Sequence, residues 1–174
     1  NKYLKFNGLN LSVETLDGLL KHNGNKLDLI KIDNIVGLEN LEKVNLYLNP
    51  SLEAQVASLS DDIAYNNHDI LDGLLAGLFK FDELLELNFF NSIYKKYKKT
   101  KSYEQVVVHQ VIRDSIDLMV RDIIQNTQNN IKKNKISNIN QIYFKEKFLV
   151  SFTNKVNDIL NDIRFFLRKK MYNN

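Results

Sequence analysis

Apolar residues recur at three- and four-residue steps over long stretches of this chain, the period of a helix with one buried face. Val108, Ile112, Ile116, Met119, Val120 and Ile123 predict a helix over about 102 to 131. Val156, Ile159, Leu160, Ile163, Phe166 and Leu167 predict another from about Thr153 to Lys170. Ser12 is placed to cap a helix through VETLDGLLKH, with Gly24 as its C-terminal stop. Asn49 then Pro50 reads as a cap followed by proline at the first helical position, opening a helix that runs to about Asp72, where Gly73 and Gly77 weaken it. Residues 25 to 48 hold apolar clusters without a clean period and predict loop with a short helix. QNNIKKNKISNINQ, residues 128 to 141, predicts a polar surface connection. IYFKEKFLVSF alone leaves room for extended chain, as one short strand pair. The expected fold is therefore all-α, a single helical region over residues 1–174.

The helix after Pro50 has the most unusual polar face. At about 100° per residue, with Asp61 at zero, Leu52, Val56, Leu59, Ile63, Ile70 and Leu74 fall within roughly 160° to 220°, an apolar face for the core. On the other side lie Asp61, Tyr65, His68, Asp69 and Asp72, with the small residues Ala54, Ala57 and Ser58. A solvated helix face usually mixes Glu with Lys or Arg at four-residue spacing. Here residues 51 to 79 contain five carboxylates and no Lys or Arg, although the chain has 24 basic residues. Aspartates sharing a face repel unless a cation stands among them, a metal ion or a Lys or Arg from another helix. Asp, His and Tyr are also the materials of a divalent-metal and phosphate-ester site. The plainer alternative is an acidic face turned to water.

Composition narrows the classes. At 174 residues the chain is long enough to bury a core, and 44% apolar with 26% charged residues reads as globular and soluble. The absence of cysteine removes disulfides, thiolate zinc sites and a cysteine nucleophile, and fits a reducing, cytoplasmic setting. No apolar run spans a membrane, and NKYLKFNGLNLS has no uninterrupted apolar core of a secretory signal. The net charge of +3 is mild. Lysine clusters at 95–101 and 132–135 are compatible with nucleic acid or another polyanion, though the preference of Lys for exposed positions favours a solvated surface.

Four segments carry a family resemblance. SLEAQVASLSDDIAYNNHDILDGLLAGLF resembles the signature segment of the bacterial deoxyguanosine triphosphate triphosphohydrolases and their "dGTPase-like" relatives, in the HD superfamily of metal-dependent phosphohydrolases. FNGLNLSVETLDGLLKHNG is similar to the element preceding it, HQVIRDSIDLMVRDII to a following helix, and IRFFLRKKMYNN to an element near the family's C-terminal end. The segments stand in the family's order and cover most of the chain.

The resemblance implies an all-α, HD-domain-like fold and hydrolysis of a deoxynucleoside triphosphate to deoxynucleoside and triphosphate, by water attack at the α-phosphorus. It implies a divalent metal ion, Mg or Mn, with Asp61 as the ligand and catalytic residue this chain supplies. Tyr65 and Asp69 match nucleotide-binding positions, the Asp near the sugar 3′-hydroxyl. Lys21 and Arg113 lie in matched motifs as candidate phosphate contacts. A homo-oligomer is implied, with nucleic acid as a further partner and no membrane. The family's metal-binding His and His-Asp pair have no match among His22, His68 and His109, so the chain is expected to be the C-terminal part of a longer enzyme, and inactive alone. A reading without the family would place His68 and Asp69 beside Asp61 as metal ligands. His22 and His109 read as structural, and Asn10 and Gln55 as capping or scaffolding groups. Two rival functions stay open: a nucleotide- or nucleic-acid-binding regulatory module, and a scaffold that has lost turnover.

Overall fold

The computed structural model describes residues 4–5, 9–22, 48–100 and 102–172. These are helical or irregular, with no strand among them. The helices are α1 (Val13–Leu20), α2 (Leu52–Leu75), α3 (Phe81–Leu84), α4 (Asn88–Tyr94), α5 (Glu104–Lys133), α6 (Asn140–Tyr143) and α7 (Asn154–Leu167), and α7 runs on into a π-helical turn at Arg168–Tyr172. The all-α expectation holds. The loop with a short helix expected over 25–48 and the stop at Gly24 fall almost wholly outside the described residues. The backbone divides into two compact units, Asn1–Leu59 with Asn130–Val150, and Ser60–Asn129 with Ser151–Asn174.

In the first unit, the Ser12 side chain caps α1 by accepting from the Thr15 backbone N–H. Gly18 lets α1 lie close to the start of α2, since a Cβ there would stand 3.1 Å from that of Ala54. Gln55 is the scaffolding group of this unit. Its Nε2 donates to the Pro50 carbonyl at 2.9 Å, and its Oε1 accepts from the backbone N–H groups of Leu149 (3.0 Å) and Val150 (3.1 Å). This corrects the strand pair allowed for IYFKEKFLVSF: the segment forms α6 and then irregular chain. Two of its backbone donors are taken by a side chain, so no partner strand is needed. Asn49 likewise donates its backbone N–H to the Tyr143 carbonyl and its Nδ2 to that of Lys145.

In the second unit, Ile63, Ile70, Leu84, Phe90, Ile93, Val111, Met119, Leu160, Ile163 and Leu167 are at most 3% exposed. Each large apolar side chain so buried contributes about 1.5–3 kcal/mol relative to exposure. Gly73 makes room for the Phe79 ring, because a Cβ there would fall 2.3 Å from it, and Phe79 meets Phe166 edge-on at 4.9 Å. α2 passes Gly73 and stops in a Schellman motif. Gly77 sits at φ +70°, its N–H donates to Leu74 and that of Leu78 to Gly73. Thr153 caps α7 and donates both backbone N–H and hydroxyl to Asp122 at 2.8 Å.

Two expectations need correction. The connection predicted for 128–141 begins later, because α5 continues to Lys133 and ends at Lys135, which takes φ +51° in the place a glycine favours. The apolar face of α2 is unevenly used: Ile63 and Ile70 are buried, Leu52, Leu59 and Leu74 half-buried, and Val56 is 43% exposed. Conversely Asn66 and Asn67 of α2 are buried, Asn67 with its Nδ2 donating to the Ile63 carbonyl and lying against Met119 Sδ.

Candidate functional site

Within the second unit α2 carries Asp61, Tyr65 and Asp69, one turn apart, on a single face. Asp61 and Tyr65 are exposed and Asp69 is half-buried. Opposite them come residues of α7 and its π-helical turn with the same spacing: Arg164, Arg168 and Tyr172. Arg164 forms an ion pair with Asp62 at 3.2 Å. The Tyr172 hydroxyl donates to Asp69 Oδ2. That hydrogen bond first, then burial and the charge of Asp69, holds the Tyr172 phenol well above its ordinary pKa, so it stays a donor at neutral pH. Tyr65, Asn66, Asp62, Asp69, Arg164, Arg168, Leu167 and Tyr172 enclose a cleft of about 230 Å³. That volume suits a sugar or a phosphate group and is below the roughly 300 Å³ at which sites for whole small molecules begin.

The carboxylates without basic neighbours in sequence are thus partly balanced across space, by an arginine at Asp62 and a phenol at Asp69. Arg164, Arg168 and Tyr172 were not singled out from the sequence. Their four-residue spacing, matching that of Asp61, Tyr65 and Asp69, is the signal that finds them.

The remaining candidates are not among the residues that line this cleft. Lys21, in the first unit, is 2% exposed and its ammonium meets Asp17 at 2.6 Å. Arg113 is exposed on α5 and does not line the cleft. His68 is exposed on α2. His22 borders a hollow of about 480 Å³ in the first unit with Glu14, Glu53 and Tyr143. Burial first, then the charges of Asp17, Glu14 and Glu53, pushes the Tyr143 phenol up. His109 borders a hollow of about 610 Å³ in the second unit, between the end of α2 and the start of α5.

Among the described residues no three His, Asp or Glu side chains are gathered so as to hold a metal ion. Asp61, His68 and Asp69 are therefore not a ligand set. A catalytic divalent ion needs about three protein ligands, and no group of three is gathered among the described residues, so they do not by themselves fit such an ion.

No family model matches the chain. Three curated relatives match it almost end to end, each named deoxyguanosinetriphosphate triphosphohydrolase-like protein. That of Pelagibacter ubique is 51% identical over 177 residues, covering all of this chain and 48% of the relative. Those of Rickettsia typhi and Rickettsia prowazekii are 35% and 36% identical over 173 residues, covering 98% of this chain and 45% of each relative. Such identity along almost the whole chain defines a common fold and descent. The chain belongs to the deoxyguanosinetriphosphate triphosphohydrolase-like family. It spans about half the length of the curated relatives it matches.

Proposed function

We propose that this chain is part of a longer enzyme that hydrolyses a deoxynucleoside triphosphate, dGTP or another dNTP, to the deoxynucleoside and inorganic triphosphate. The observation that carries the reading is the face of α2 on which Asp61, Tyr65 and Asp69 stand at successive turns, the last two inside a cleft. The names of the relatives support the reaction class. In this reaction a water oxygen bonds to the α-phosphorus and the bond from that phosphorus to the sugar O5′ breaks. The oxygen leaves with a proton as the 5′-hydroxyl of the deoxynucleoside. Asp69 accepts from the sugar 3′-hydroxyl, a charge-assisted hydrogen bond, while Tyr65 offers its ring and hydroxyl alongside. Asp61 lends its carboxylate to a divalent ion, Mg²⁺ or Mn²⁺. The same reading makes the enzyme a cytoplasmic homo-oligomer.

The test is product analysis on the full-length protein with dGTP and Mn²⁺, resolving phosphates by anion exchange. Triphosphate released with deoxyguanosine supports the reading, and release of pyrophosphate or single phosphate refutes it. A second reading, a nucleotide- or nucleic-acid-binding regulatory module without turnover, draws on exposed Lys132, Lys133 and Lys135 at the end of α5. It expects salt-sensitive binding of nucleic acid that survives Asp61→Ala, with no triphosphate formed.

A further inference from the structure

The wall of the cleft facing α2 has a chemistry of its own. Arg164 is committed to Asp62, each side chain 45% exposed. Arg168, one turn later, is exposed and borders the same cleft as Tyr65 and Asp69. Tyr172, a further turn on, engages one oxygen of Asp69, Oδ2, and leaves Oδ1 to accept from a ligand. The cleft is therefore lined by the Arg164–Asp62 pair, by Arg168 with Tyr65, and by Asp69 with Tyr172. A molecule carrying both a phosphate and a sugar hydroxyl matches that combination of a guanidinium and a carboxylate. A guanidinium suits phosphate because its planar fork donates two parallel hydrogen bonds. A carboxylate already anchored through one oxygen presents the other in one direction, so a hydroxyl donor loses less freedom in meeting it.

The geometry points to Arg168 as the cleft's phosphate contact and to Tyr172 as the positioning residue that aims Asp69 at the sugar hydroxyl. This rests on the proposed hydrolysis for the identity of the ligand, and it assigns the π-helical turn, rather than Arg113, the recognition of the phosphate end. Tyr172 touches no reacting atom and acts through Asp69.

Binding to the full-length protein tests both assignments without requiring turnover, with inorganic triphosphate and deoxyguanosine as separate probes in calorimetry. Arg168→Gln weakens triphosphate binding by about tenfold or more, the worth of a charge-assisted contact, and changes deoxyguanosine binding less than about twofold. Arg168→Lys recovers part of the triphosphate affinity. Tyr172→Phe, which removes only the hydroxyl, weakens deoxyguanosine binding by about three- to tenfold and leaves triphosphate binding unchanged. Unchanged affinities in both variants overturn the proposal, as do equal losses for both probes in either one. Failure of the hydrolysis reading is distinct: the variants then show this pattern of losses, while the unaltered protein binds both probes and releases no triphosphate from dGTP.

Discussion

Two sets of polar groups, one in each unit, are held in opposite ways. In the first, Gln55 is 2% exposed with three hydrogen bonds to backbone, and Lys21 is equally buried against Asp17. These groups are desolvated and closed on partners within the fold, and a group in that state is costly to disturb. In the second unit, Asp62 and Arg164 are each 45% exposed and Tyr172 is 52% exposed over Asp69. Contacts so open to water contribute little to stability, about 0–1 kcal/mol for an ion pair, and stand where a ligand can reach them. The difference separates polar residues that hold the chain together from polar residues held ready by it.

The largest expected effect breaks that comparison on the functional side. Asp61→Ala in the full-length protein takes dNTP hydrolysis below detection, while Tm moves less than about 2 °C because Asp61 is exposed. Turnover that persists removes Asp61 from the site. On the structural side, Gln55→Leu leaves the Leu149 and Val150 N–H groups buried without acceptors and costs about 2–4 kcal/mol in denaturant unfolding. A loss under about 0.5 kcal/mol would mean that Gln55 is no scaffold. Gly73→Ala costs about 1–3 kcal/mol, since overpacking against Phe79 exceeds the helix-propensity gain of about 1 kcal/mol. Lys135→Gly, by contrast, stabilises by up to about 1 kcal/mol, because it relieves a left-handed conformation in a residue with a side chain.

The smallest effect concerns pH. Burial pushes the Asp114 carboxyl up, but hydrogen bonds from Lys96, Tyr97 and Gln110 outweigh it and hold the group below the usual aspartate range. Its contribution is present above the unfolded pKa and is lost as pH falls through the lower folded value. Thermal melts from neutral to acid pH, compared with Asp114→Asn, read this as a difference under about 1 kcal/mol that vanishes at the acid end.

Much of the helical order was legible because its signals are local. The caps at Ser12 and Thr153 and the stop near Gly77 act through neighbours a few residues away. The α7 stripe was read correctly, with Leu160, Ile163, Phe166 and Leu167 buried. The short helices α3 and α4 were not read, since four and seven residues carry too little periodicity. The extended alternative near Leu149 failed because a side chain some 94 residues earlier satisfies that backbone, which no local pattern reveals. At the site, Asp61, Tyr65 and Asp69 were placed on one face by helical spacing alone.

By itself the sequence determined the long helices, much of their buried stripes and the acidic face without basic neighbours, because a 3.6-residue period and capping chemistry are set by residues within a turn or two. Only the tertiary structure decided how those carboxylates are answered. Arg164 reaches Asp62 and Tyr172 reaches Asp69, and the latter pair is 103 residues apart in the chain. Electrostatic and hydrogen-bond energies fall off over a few ångströms of space, irrespective of distance along the chain, so folding alone settles which charge meets which.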